Sequence, residues 1–258
     1  MEQSPDHSPD PRSDQAAAGI EFSMAVLCYR SERNIVPFVE SLHRIMSMFS
    51  FHWEIVLVGN YWPGVSDETP EIVKDLSRRL DRVRYIAEPK EGGMGWDMKM
   101  GLGACQGRYI GVIDGDGQFP VEAIFSCFAK ISSEDLDFVK TYRVMRSDGW
   151  YRNTISLGYN LLFRLLFPEF RAYRDVNSKP KIIRRSAYEK MTLTSTDWFL
   201  DAELVLNALE LDLRIYEIPI RFESLEGRPS FVKLGAVWEF TVNLFRYRLR
   251  TLRGRKSS

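Results

Sequence analysis

The chain has 258 residues, of which 45% are apolar, and its formal net charge at pH 7 is zero. That length suits one large domain or two small ones, and the apolar content excludes a globally disordered chain. A zero net charge argues against a nucleic-acid partner, although the last stretch, RYRLRTLRGRK, is basic. Three scattered cysteines without a CxxC pair fit a cytoplasmic protein with no zinc site, and no run of about 18 apolar residues predicts a transmembrane helix.

Strand-like and helix-like segments alternate through the first half of the chain. Residues 1–20 are rich in Pro, Ser and Asp, which predicts a disordered leader. The strands expected after it are FSMAVLC, WEIVLVG, VRYIA and RYIGVI, and the helices between them include a segment opening near Asn34, EIVKDLSRRL and GMGWDMKMGLGACQ. This alternation predicts an α/β fold with a mostly parallel, doubly wound sheet and helices on both faces.

The glycines of GLGACQG superficially resemble a dinucleotide-binding fingerprint. That fingerprint follows a strand and opens a helix, whereas here a helical run precedes the glycines and a strand follows them. Close packing of the helix against the sheet is the interpretation that we favour for these glycines.

The second half has a different organisation. We expect a strand at DFVKTYRV, a long apolar helix at WYRNTISLGYNLLFRLLF, an irregular stretch at AYRDVNSKPKII, a helix at FLDAELVLNAL and a strand at LRIYEIPI. Residues 229–258 combine an apolar stripe at helical spacing with arginines, which predicts an amphipathic basic helix and tail. Such a helix packs on the protein or lies in a membrane interface, and the pattern leaves both open.

The segment YIGVIDGDGQFP carries the clearest chemical pattern. Asp114 and Asp116 are two residues apart at the end of a predicted strand, so both carboxylates leave it on the same side. Together with Gln118 they offer oxygen ligands for Mg²⁺ or Mn²⁺, and such ions commonly complete their shell with substrate phosphates. A polar turn is the alternative interpretation, since Asp and Gly are frequent turn residues.

Five motifs, in order, resemble the family-2 glycosyltransferases of the GT-A fold, and in particular the dolichyl-phosphate mannose and glucose synthases. They are AVLCYRSERNI, DGDGQFP, RDVNSKPK, FLDAELVLNAL and EGRPSF. The resemblance covers about residues 22–235. It implies a catalytic domain over residues 21–228, with a nucleotide-binding half at about 21–118 and an acceptor half at about 119–228.

The resemblance also implies a nucleotide-binding set. Its members are Tyr29, Glu32, Asn60, Lys99 and Asp114. The family usually has Val-Asp-Asp where this chain has Val58-Gly59-Asn60, so the base of the donor stays open. Lys99 is equally well explained as an ordinary exposed lysine on a helix.

Roles at the acceptor end follow from the same resemblance. Besides Asp114 and Asp116, the catalytic candidates are Asp201 and Glu203, which as near neighbours on one helix point in different directions. The residues expected to bind an acceptor phosphate are Arg143, Arg152, Ser156 and Arg228. Arginine forks match phosphate oxygens, although a surface ion pair is the alternative for each arginine.

The function implied is a metal-dependent, inverting transfer of a sugar from a nucleoside-diphosphate sugar to a polyprenyl phosphate, cytoplasmic or peripheral at the cytoplasmic membrane face. Two alternatives stay open. One is a soluble glycosyltransferase acting on a hydroxyl acceptor, and the other is a non-catalytic nucleotide-sugar-binding relative.

Overall fold

The computed structural model describes residues 19–146, 158, 161–222 and 241–250. Its strands form one seven-stranded sheet in the order β3-β2-β1-β4-β6-β5-β7. The strands are β1 (Phe22–Leu27), β2 (Trp53–Val58), β3 (Val83–Ile86), β4 (Tyr109–Asp114), β5 (Phe138–Arg146), β6 (Lys181–Arg184) and β7 (Ile215–Phe222).

The expected mostly parallel sheet is confirmed, with one reversed strand. β3, β2, β1 and β4 pair in parallel, as do β5 and β7, whereas β6 runs antiparallel to both β4 and β5. The interpretation of AYRDVNSKPKII as irregular is therefore wrong for residues 181–183, which begin β6. Four residues are too short to show a period of two, and the polar segment before them hides the strand.

Helices cover both faces of the sheet. The helices are α1 (Ile35–Met46), α2 (Thr69–Arg79), α3 (Met94–Ala104), α4 (Glu122–Ser133), α5 (161–166), α6 (Arg185–Tyr188), α7 (Leu200–Glu210) and α8 (241–250). Helices α1, α2 and α4 share one apolar core with the sheet, while α3, α5, α7 and α8 share the other. Alternate residues of β1 divide accordingly, with Met24 and Val26 in the first core and Ala25 and Leu27 in the second.

The glycines near the end of α3 have separate roles. A Cβ at Gly101 would lie 2.9 Å from Ala25 Cβ and from Val58 Cγ2, so this glycine lets α3 approach the sheet closely. Gly107 lies instead against the backbone of Ser23, and Gly103 has open space around its Cα. Helix–sheet packing thus accounts for Gly101, and no dinucleotide fingerprint is formed, because α3 precedes β4.

The fold brings several loops to one edge of the sheet. Because β1, β2, β3 and β4 are parallel, their carboxyl ends all lie at that edge. The loops leaving them carry Tyr29, Asn60, Lys90 and Asp116. An open α/β sheet binds its ligands at this edge.

Parts of the expected architecture lie outside the described residues. These are residues 1–18 of the leader, most of residues 147–160, and residues 223–240 and 251–258. Within the expected carboxyl-terminal helix, α8 is helical as predicted, with Leu244 and Tyr247 buried. Among the described residues, no helix is both long enough and apolar enough to cross a membrane.

The contrast between Gly101 and Gly103 gives a test of the helix–sheet contact. We expect Gly101→Ala to destabilise the protein by about 1–3 kcal/mol, because the new methyl group overpacks the interface. Gly103→Ala is the matched control in the same helix, and it should be neutral or stabilising by up to about 1 kcal/mol through helix propensity. Urea unfolding of both variants measures the difference. Equal effects of the two substitutions would contradict the packing role of Gly101.

Candidate functional site

The loop after β1 provides an aromatic face at the carboxyl edge of the sheet. Tyr29 is half-buried, and the Lys90 ammonium lies 4.5 Å from the centroid of its ring. Glu32 is exposed and has a left-handed backbone with φ of 46°, and its N–H donates to Thr69 Oγ1 at 3.0 Å. Both residues expected to contact a nucleotide therefore lie at the edge where the fold favours a ligand.

Asn60 is bound by neighbouring protein groups. Its side-chain amide donates to Asp97 Oδ1 at 2.9 Å, and its carbonyl oxygen accepts the Glu88 N–H at 2.9 Å. The residue is only 1% exposed. This arrangement makes Asn60 a support for Asp97 rather than a group that faces a ligand.

The sequence interpretation missed the ion pair between Lys90 and Asp97. The two side chains are in direct contact and almost fully buried, below the ring of Tyr29. Burial raises the pKa of Asp97, and the Lys90 ammonium and the Asn60 amide oppose that shift. An acidic residue on the buried face of α3 was the available signal for this pair.

Lys99 lies farther along α3 and is half-buried. Its role in diphosphate binding stays a prediction.

The two aspartates of the motif lie where β4 ends. Asp114 is the last residue of the strand, and its side chain is 28% exposed. Asp116 is half-buried in the following turn, where its Oδ1 accepts the Gln118 N–H at 3.0 Å. Gly117 has φ of 76°, which a glycine adopts without strain. The segment is thus a tight polar turn that also presents carboxylates.

A lysine that the sequence interpretation did not assign lies against Asp114. Lys179 Nζ is 3.2 Å from Asp114 Oδ2 and 2.8 Å from Asp201 Oδ2. Lys181 contacts the other carboxylate oxygen of Asp201. The four groups form a compact ionic cluster that joins β4, β6 and α7.

The charged groups of the ionic cluster are buried, and their charges are stabilised by one another rather than by water. Burial opposes charge on both Lys179 and Asp201, but their partners outweigh it, so the pKa of Lys179 is raised and that of Asp201 is lowered. For Lys181, burial outweighs Asp201 and lowers the pKa to about 8. Asp201 is thus held as a carboxylate between two amines, which makes it a weak proton acceptor.

The carboxylates fit a divalent cation only in combination with further ligands. Within the described ranges, no group of three or more His, Cys, Asp and Glu side chains is arranged to hold a metal. Asp114 also shares one oxygen with Lys179. A cation held by Asp116 and Asp114 would complete its shell with diphosphate oxygens, as Mg²⁺ commonly does.

Glu203 has a structural role in the protein. Its Oε2 accepts the N–H groups of Thr194 and Ser195 at 3.0 and 2.8 Å, and its Oε1 accepts the Thr194 hydroxyl at 2.7 Å. The side chain is buried. These contacts indicate that Glu203 holds the turn before α7, and its catalytic role stays a prediction.

Arg143 forms a largely buried ion pair within the protein. Its guanidinium binds the carboxylate of Asp175 in a two-pronged pair, with N–O distances of 2.7 and 2.9 Å. Its fork is therefore engaged by a carboxylate of the protein, and a role in binding an acceptor phosphate stays a prediction. The other acceptor candidates, Arg152, Ser156 and Arg228, lie outside the described residues.

Named glycosyltransferases are similar to this chain over most of its length. The chain is similar to the glycosyltransferase AglD of Haloferax volcanii, with 26% identity over 217 residues covering 80% of this chain. It spans only 34% of that relative. A second relative is the dolichyl-phosphate beta-glucosyltransferase ALG5D of Trichomonas vaginalis, with 22% identity over 91% of this chain and 76% of the relative.

A solved structure shares the fold over nearly the whole chain. It is glucosyl-3-phosphoglycerate synthase of Mycobacterium tuberculosis in complex with Mn²⁺, uridine diphosphate and glucosyl-3-phosphoglycerate. The TM-score is 0.69 at 17% identity, over 96% of this chain and 86% of that one. This confirms the GT-A fold. The family model described as "Glycosyl transferase family 2" matches residues 23–192, and the chain belongs to that family.

Proposed function

We propose that the protein transfers a sugar from a nucleoside-diphosphate sugar to a polyprenyl phosphate, with inversion and with the help of a divalent cation. The observation that carries the proposal is the pair Asp114 and Asp116 at the carboxyl edge of the sheet, the same edge at which the loop with Tyr29 leaves the neighbouring strand β1. The dolichyl-phosphate transferase among the relatives supports the lipid acceptor.

The donor would extend along the edge from β1 to β4. The ring of Tyr29 offers a surface for the base or ribose, and Glu32 offers a carboxylate for sugar hydroxyls. Asp97 and Lys90, supported by Asn60, fix the floor beneath the ring. The diphosphate would then lie near Asp114 and Asp116.

The chemistry requires stabilisation of the leaving group. As the acceptor oxygen bonds to the anomeric carbon, the bond from that carbon to the diphosphate oxygen breaks, and negative charge develops on the nucleoside diphosphate. A bound Mg²⁺ or Mn²⁺ supplies Lewis-acid stabilisation of that charge. Asp116 and Asp114 would hold the cation, while Lys179 and Asp201 keep Asp114 in place.

The state of the candidate bases favours a phosphate acceptor. A hydroxyl nucleophile needs a group that removes its proton. Asp201 is clamped between Lys179 and Lys181, and Glu203 is used by the turn before α7. A phosphate monoester is mostly dianionic at neutral pH, with a second pKa of about 6, and reacts without such a base.

An apolar surface on α5 and α8 suits a lipid chain. The exposed apolar side chains there are Leu161, Leu165, Phe245 and Leu249. The two helices are connected through the rings of Phe167 and Tyr247, whose centroids are 6.2 Å apart. Exposed Arg246 and Arg250 flank this surface on α8. Apolar side chains with flanking arginines are typical of helices that lie in an anionic membrane interface.

A hydroxyl acceptor carrying its own phosphate is the second candidate. The glucosyl-3-phosphoglycerate synthase structure, which shares the fold over most of this chain, supports it. This chain has Gly59-Asn60 after β2, where the family usually has Asp-Asp. That difference motivates a third possibility, a nucleotide-sugar-binding protein without transfer activity. Binding and transfer assays distinguish the three.

Donor and cation binding is tested by thermal unfolding with a panel of nucleoside diphosphates, with and without Mn²⁺. We expect one of them, at a hundred times its Kd and with Mn²⁺, to stabilise the protein by about 2.7 kcal/mol, a rise of about 5–10 °C in Tm. Asp116→Asn should abolish the Mn²⁺-dependent part of the rise, because a carboxylate ligand is lost. Asp212→Asn, the same change at an exposed site, is the control and should behave as the parent. A full Mn²⁺-dependent shift in the Asp116 variant would contradict the proposed metal role.

Transfer itself is tested with the donor identified in that panel. We expect sugar transfer to a short-chain polyprenyl phosphate in Mn²⁺, and a decrease of at least about a hundredfold in kcat for Asp116→Ala through lost electrostatic stabilisation. Transfer to 3-phosphoglycerate alone would support the second candidate. Donor binding without transfer to either acceptor would support the binding protein.

A further inference from the structure

We propose that the ammonium group of Lys179 makes metal binding at Asp114 conditional on the donor diphosphate, so that the cation and the nucleotide occupy the site together. The inference rests on the metal-binding part of the proposed function, and it assigns to Lys179 a role as a positioning residue. It is argued from strand register, contacts and charge.

The register of β6 against β4 determines the position of Lys179. In this antiparallel pair Val112 lies opposite Lys181 and Tyr109 lies opposite Arg184. Continued by two residues, the same register places Lys179 opposite Asp114. The observed distance of 3.2 Å between Lys179 Nζ and Asp114 Oδ2 agrees with that position. The lysine is thus fixed by the sheet and does not reach the aspartate by chance.

The Lys179 ammonium is enclosed by its neighbours. Besides Asp114, it contacts Asp201 Oδ2 at 2.8 Å and Met94 Sδ at 3.7 Å, and its side chain is only 3% exposed. Three neighbours match the three protons of the ammonium group. A group held in this way does not swing aside at low cost, so its charge stays beside Asp114.

The charges at the site disfavour binding of the cation before the nucleotide is bound. The carboxylates of Asp114 and Asp201 are matched by the ammonium groups of Lys179 and Lys181. A divalent cation that binds Asp114 alone would lie a few ångströms from the Lys179 ammonium and be repelled by it. At the effective dielectric constant typical of protein sites, repulsion at such a distance weakens binding by at least about tenfold.

The donor diphosphate would relieve this repulsion. Its negative charges attract the cation and the ammonium group alike, so metal and nucleotide each favour binding of the other. Coupling of this kind is reciprocal in binding free energy. A purely structural Lys179 would instead affect stability and leave the metal affinity of the nucleotide-free protein unchanged.

The test is titration with Mn²⁺ followed by electron paramagnetic resonance, which measures the free ion and does not require activity. We expect Lys179→Met to bind Mn²⁺ at least about tenfold more tightly than the parent in the absence of nucleotide. Lys179→Arg keeps the charge and should resemble the parent. Lys190→Met makes the same substitution at an exposed lysine that follows α6. It is the matched control and should also resemble the parent.

A second titration measures the coupling with uridine diphosphate, the nucleotide in the similar solved structure. The ratio of Mn²⁺ affinities with and without this nucleotide should be large in the parent and smaller in Lys179→Met. Asp201 keeps Lys181 as a partner in that variant, and thermal unfolding confirms that the protein is folded.

Several outcomes would overturn the proposal. Equal Mn²⁺ affinity of folded Lys179→Met and the parent is one, and the absence of measurable binding by either is another. A tightening in Lys179→Arg equal to that in Lys179→Met would show that charge is not the cause. Because none of these measurements involves sugar transfer, the inference can hold even if the proposed acceptor is wrong.

Discussion

The candidate site depends on one buried ionic contact, in which Lys179 and Lys181 hold the carboxylate of Asp201. This contact joins β6 to the first turn of α7, and through Lys179 it extends to Asp114 at the tip of β4. Taking such charges out of water is costly, and breaking a buried pair by removing one partner typically costs about 3–5 kcal/mol. An apolar core of the same volume would be at least as stable, so the retention of charge here favours a functional explanation.

A second buried ion pair serves the other end of the site. Lys90 and Asp97 lie beneath Tyr29, with Asn60 donating to the same carboxylate. Both ion pairs lie on loops and helix starts at the carboxyl edge of the sheet, where apolar packing cannot determine side-chain positions. Charge pairing provides the rigidity that a binding surface needs, because a satisfied polar network specifies a single arrangement.

The sequence predicted the larger elements well because each has a clear pattern of apolar residues. β1, β2 and β4 are predominantly apolar runs, as buried parallel strands are, and α1 has an apolar stripe after Asn34. The sequence singles out Asp114 and Asp116 because both follow an apolar run, although Asp116 lies in the turn after β4 and not on the strand. β6 escaped prediction because its four residues carry too little pattern.

The sequence does not reveal the tertiary contacts that bear on the role of a side chain. Nothing local distinguishes Arg143, which binds Asp175, from an arginine open to a phosphate. In the sequence Glu203 is a candidate base, whereas in the structure both of its carboxylate oxygens accept hydrogen bonds from Thr194. Lys179 becomes visible only through the reversed direction of β6, since it is 65 residues from Asp114 along the chain.

The placement of β6 has a mechanical consequence for the whole molecule. This short strand lies between β4, whose tip would meet the donor, and β5, which belongs to the proposed acceptor half. Any sliding of one half past the other must break its hydrogen-bond ladders on both sides. The strand therefore links β4 to β5 through hydrogen bonds on both of its edges, and we expect the two strands to move together as one rigid unit.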